Sequence, residues 1–91
     1  MSGEAIHRVR VQIGGAEYVL RGSESEERLL AIAKTVDDTI QAVLRANPNL
    51  DARKVAVLAA LNIAEELHEL RDQYDSLLEL LDEQTKSPSE R

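Results

Sequence analysis

Few residues in this chain have the types and spacing that chemistry requires. Glu65, Glu66, Glu69, Asp72 and Asp75 form an acidic run that could be imagined around a hard cation. On a helix these carboxylates spread around the rod, and no turn gathers them into a cage. His7 and His68 are the two histidines. Alternation puts His7 on the polar face of a strand, and heptad position puts His68 on the outside of a helix, so both read as surface residues. Gly14-Gly15 lacks the remainder of a phosphate-binding loop and reads as a hairpin turn. Ser23 and Ser25 have no histidine or acid arranged to activate a hydroxyl, and Ser23 with Glu26 has the form of a capping box. With no cysteine, disulfides and thiolate metal sites are excluded. The expectation is a non-enzymatic protein with no metal and no cofactor.

Composition narrows what such a protein can bind. Residues 1–64 carry 8 basic and 8 acidic side chains, whereas residues 65–91 carry 3 basic and 9 acidic, which accounts for the net charge of -6. An acidic rod repels nucleic acid and anionic lipid, so neither is an expected partner. The longest apolar run, 55–61, is far below the ~20 residues that span a bilayer. The N-terminal stretch has no apolar signal core, which leaves a soluble cytoplasmic protein as the expectation. The 91 residues make one small domain, and with no Phe or Trp its core must be built from Leu, Ile, Val and Ala.

The elements that position these residues follow from periodicity. Val9, Val11 and Ile13 alternate with Arg8, Arg10 and Gln12, and Tyr18 and Leu20 repeat the pattern beyond Gly14-Gly15. The result is a β-hairpin over 6–21 with one apolar face. A two-residue loop pairs Val11 with Tyr18 and Val9 with Leu20; a four-residue loop pairs Ile13 with Tyr18 and Val11 with Leu20. Either register keeps the apolar sets together.

Leu29, Ala33, Val36, Ile40 and Val43 recur at helical spacing, predicting an amphipathic helix at about 25–46 with Lys34, Asp37, Asp38 and Gln41 outward. Asn47-Pro48-Asn49 ends it, and Asp51 is a suitable N-cap for a second helix from 51.

That second helix organises the chain. Ala56, Ala60, Ile63, Leu67, Leu70, Tyr74, Leu77 and Leu81 are spaced 4, 3, 4, 3, 4, 3, 4, a heptad seam that calls for a partner helix. Its first part, 54–64, is apolar nearly all round, which predicts burial by helix 1, the hairpin and a second subunit. Leu78 and Leu80 widen the stripe near the end, which predicts contact with more than one helix. The fold expected is therefore α+β: an N-terminal hairpin, one amphipathic helix, and a long C-terminal helix forming an intermolecular coiled coil. Residues 1–64 make a globular head, 65–85 a coiled-coil extension and 86–91 a flexible tail.

The stretch NPNLDARKVAVLAALNIAEEL closely resembles the corresponding part of the ZapA family of bacterial cell-division proteins. VRVQIGGAEY resembles the family's hairpin, and EERLLAIAKTVDDTI its first helix, so the ordered likeness spans roughly residues 8–84. The resemblance implies a cytoplasmic protein at the mid-cell division site. There it would bind the tubulin-like GTPase FtsZ and promote lateral association of its filaments. It also implies homodimers joined by coiled coils into an antiparallel homotetramer. The family contact with FtsZ is attributed to charged residues of the head. Other members often carry a basic residue after the hairpin turn, where this chain has Ala16. Composition and location point instead to Arg8, Arg10, Lys34, Arg45, Arg53 and Lys54. Asn62, beside an apolar surface, is expected to make a buried hydrogen bond or set register at the dimer contact. The alternative is a generic coiled-coil scaffold with another protein partner.

Overall fold

The computed structural model describes residues 5–85, so the proposed flexible tail and the first four residues lie outside the described residues. Four elements follow in order: β1 (His7–Ile13), β2 (Ala16–Gly22), α1 (Glu26–Ala46) and α2 (Ala52–Thr85). Gly14 and Gly15 have φ of 63° and 86°. A two-residue turn with both positions at positive φ matches the right-handed twist of the strands it joins, and glycine enters it without strain. The strands pair antiparallel with Val11 opposite Tyr18 and Val9 opposite Leu20, the two-residue register.

Parity then decides which side chains meet α1. Val11 is buried and His7, Val9 and Ile13 are half-buried, while Arg8, Arg10 and Gln12 are exposed. His7 is therefore not on the polar face. Its odd number puts it in line with Val9, and its Nδ1 lies 2.8 Å from the Glu24 carbonyl. This contact pins the connector. The helix consequently starts two residues later than a Ser23 cap requires. Ser25 is the N-cap, its Oγ accepting from the Arg28 N–H at 3.1 Å and its carbonyl from Leu29 N–H at 2.9 Å. Glu26 and Glu27 occupy the first turn, where the helix dipole favours negative charge.

α1 ends at Asn47, whose backbone N–H donates to the Val43 carbonyl at 2.8 Å and whose side chain donates to it at 3.3 Å. Pro48 follows and prevents continuation. Asp51 restarts the helix, its Oδ1 accepting from Lys54 N–H at 2.9 Å.

The hairpin packs on α1, and α1 packs on the start of α2. Val43, Val55 and Ala59 form one buried cluster with Ile40, Leu44 and Leu50 around it; Val11, Leu29 and Ala33 are buried as well. Ala33 and Ala59, at 4% and 2% exposure, are where small side chains let the elements approach closely. Within 54–64 only Val55 and Ala59 are buried. The expected burial of that stretch on several sides is thus not provided within one chain, because the hairpin sits over α1 rather than over α2. Beyond Ile63 every side chain through residue 83 is exposed. The radius of gyration is 19.4 Å, against about 12 Å for a compact domain of this length.

Candidate functional site

Two surfaces are candidates for binding, one apolar and one basic. The apolar surface begins in a groove between the hairpin and α2. Tyr18 and Leu20 overhang it from β2, Ile40 and Leu44 form its floor, and Ala52 and Ala56 form its far wall. Ala56 is also the first residue of the heptad seam, so the groove opens directly onto the stripe along α2. That stripe is solvent-facing throughout: Leu70 is 62% exposed, Tyr74 63% and Leu77 52%. Leu67, Leu78, Leu80 and Leu81 are exposed too. A succession of apolar side chains this long is a surface that water disfavours. Ala60 is exposed and Ile63 half-buried, so the seam runs without interruption from the groove outward.

Asn62 points elsewhere. It lines a shallow acidic groove with Asp38, Thr39, Ala42, Glu65, Glu66 and Glu69, on the side of α2 that meets α1. It is exposed there and lies off the seam.

The six basic candidates do not converge on one site. Arg8 and Arg10 stand on the face of β1 turned away from α1. Lys34 is engaged by Asp38, one turn along α1, at 3.0 Å. Arg45 lies in the last turn of α1, where a cation complements the helix dipole. Arg53 and Lys54, in the first turn of α2, flank an apolar depression formed by Leu50, Val57 and Leu58. Arg53 and Lys54 therefore combine positive charge with accessible apolar surface.

Two residues escaped sequence reasoning. Arg21 joins Arg8 and Arg10 on the outer hairpin face, because Arg8 and Arg21 are cross-strand partners. The register was the missing signal: once the loop is fixed at two residues, the pairing follows. Asp37, expected to point outward, instead accepts the Gly14 N–H at 2.8 Å and ties the hairpin turn to α1. The turn passes so close to the helix that a side chain at Gly14 would meet Ile40 at 3.6 Å.

Nothing else suggests chemistry. Among the described residues no group of three or more His, Asp or Glu could hold a metal ion, and no helix is long and apolar enough to cross a membrane.

Comparison with known proteins gives a consistent result. Residues 9–91 match the family model described as cell division protein ZapA. The chain is 41% identical over 81 residues to cell division protein ZapA of Geobacillus kaustophilus (strain HTA426), covering 89% of each chain. It is 34% identical over 77 residues to the protein of that name from Bacillus pumilus (strain SAFR-032), covering 85% of this chain and 91% of the other. Among solved structures it is similar to a ZapA mutant dimer from Geobacillus stearothermophilus. The TM-score is 0.70 at 36% identity, covering 90% of this chain and 95% of the other.

Proposed function

The chain belongs to the ZapA family of cell division proteins, and from that premise we propose that it acts without catalysis, as a cross-linker of FtsZ filaments. The observation that carries this reading is the exposed stripe of α2 running outward from a small folded head. In water such a stripe calls for a partner helix, and the likeness to a chain solved as a dimer supports another copy as that partner. We place the head at 1–64, and the coiled-coil extension at 65–85. Head pairing through the apolar groove, followed by antiparallel joining of the rods through Leu77, Leu78, Leu80 and Leu81, gives a tetramer with heads at both ends.

Heads held apart by a rigid rod suit a repeating polymer. Each contact can be weak, because linkage raises the effective concentration of the second head by avidity. The FtsZ-facing residues on this reading are the basic side chains of the head, with Arg53 and Lys54 foremost because they border exposed apolar surface. Bundled filaments at mid-cell, in the cytoplasm, are the expected outcome in the cell.

Sedimentation with FtsZ polymers is the test. Co-pelleting with lateral bundling is the expected result; a protein that stays in the supernatant while FtsZ pellets unbundled contradicts the proposal. Charge reversal at Arg53 and Lys54 should weaken co-pelleting, which separates a head contact from a scaffold role of the acidic rod.

A further inference from the structure

The outer face of the hairpin contains an arrangement that folding alone does not favour. Counting back from the turn, Ile13–Ala16 closes the hairpin as a hydrogen-bonded pair. Gln12–Glu17, Arg10–Val19 and Arg8–Arg21 are therefore the non-hydrogen-bonded pairs, the type in which opposed side chains lie nearest. In the last of these, two arginines face each other directly. Like charges so placed destabilise a hairpin.

The rest of the face sharpens the contrast. Arg10 has an acidic partner, Glu17, at 3.7 Å. Among the described residues neither Arg8 nor Arg21 has a carboxylate within salt-bridge distance. Val19, opposite Arg10 and next to Arg21 on the same face of β2, is 53% exposed and sets an apolar side chain beside the arginines. Arginine suits this position because its planar fork can hold a carboxylate with two parallel hydrogen bonds.

We infer that the Arg8–Arg21 pair, with Arg10 and Val19, is a docking face for an acidic peptide segment of the partner protein. The inference rests on the reading of the head as the protein-binding part. A carboxylate seated between the two guanidiniums removes their repulsion at the moment of binding, so the energy withheld from the fold returns in the complex. Charge complementarity selects the occupant. Duplex nucleic acid also carries negative charge, but the net charge of -6 on this chain opposes association with a long polyanion. A short acidic segment meets the hairpin alone.

The arrangement predicts opposite changes in stability and binding. Arg21→Glu converts the repelling pair into an attracting one, so the full-length variant should melt about 2–5 °C higher than the unaltered protein. The same substitution should weaken anisotropy-monitored binding of a fluorescein-labelled ten-residue polyglutamate peptide at least tenfold at low salt. Equal binding by Arg21→Glu and the unaltered protein overturns the inference. So does no binding by the unaltered protein, or displacement of the peptide by duplex DNA through the same arginines. Pelleting with FtsZ polymers keeps the two readings apart. Arginine-dependent peptide binding without co-pelleting sinks the FtsZ assignment and leaves the docking face standing. Undiminished co-pelleting of Arg21→Glu sinks the docking face alone.

Discussion

The two halves of α2 carry one heptad seam but differ in how much of their apolar surface a single chain covers. In the first, Val55 and Ala59 are buried against Val43, and Ile63 is half-buried. In the second, Leu70, Tyr74 and Leu77 repeat at the same heptad spacing and all stand in solvent. The hydrophobic effect is blind to which chain supplies the covering surface. The difference shows where folding within one chain ends: burial against α1 stops at Ile63, and on the proposed reading other copies cover the seam.

Breaking the second half should therefore have the largest effect on assembly and little on the head. Leu70→Glu or Leu77→Glu places an unpaired charge in the proposed helix interface, at a cost of about 3–5 kcal/mol. Light scattering should report loss of the tetramer with the head dimer intact, and bundling of FtsZ should disappear with it. An unchanged tetramer would mean that the seam is assigned to the wrong residues. The reciprocal change breaks the packing of the head instead. Leu29→Ala opens a cavity under the hairpin, 7% exposed as the leucine is. Chemical denaturation should show the head less stable by about 2–4 kcal/mol.

How much of this was legible in the sequence differs between the same two regions. The heptad needs only spacing to be recognised, and α2 runs from Ala52 as the Asp51 cap implied. The hairpin was legible to the level of two registers, and Gly14-Gly15 selected the shorter loop. The finer placements were not legible, since each depends on a contact between distant residues. His7 shares the inward face with Val9 by alternation alone, but its contact with the Glu24 carbonyl, 17 residues along the chain, could not be read. Asp37 leaves the outer face of α1 because the Gly14 N–H needs an acceptor there. Ser23 and Ser25 are both followed three residues later by a residue a helix accepts, and only the path of the connector chooses between them. The binding residues were legible as types but not as groups. Nothing in the linear order of Arg8 and Arg21 says that they face each other.

Smaller perturbations sharpen the contrast between the contacts within the head. Asp37→Ala leaves the Gly14 N–H without its acceptor and should cost about 1 kcal/mol. Amide exchange at Gly14 should accelerate while exchange along the solvent side of α2 stays unchanged. Ser25→Ala removes the helix cap, an expected loss of about 1 kcal/mol by thermal denaturation. Ser23→Ala should fall within about 0.5 kcal/mol of the unaltered protein, as exposed substitutions away from special contacts do. A larger loss at Ser23 than at Ser25 would move the start of α1.

The central claim is that the exposed stripe of α2 is an interface between copies of this chain. The most direct test is molar mass by light scattering across a concentration series of the intact protein. The account predicts twice the chain mass at low concentration, rising to four times as concentration increases. A mass of one chain at every concentration would contradict it.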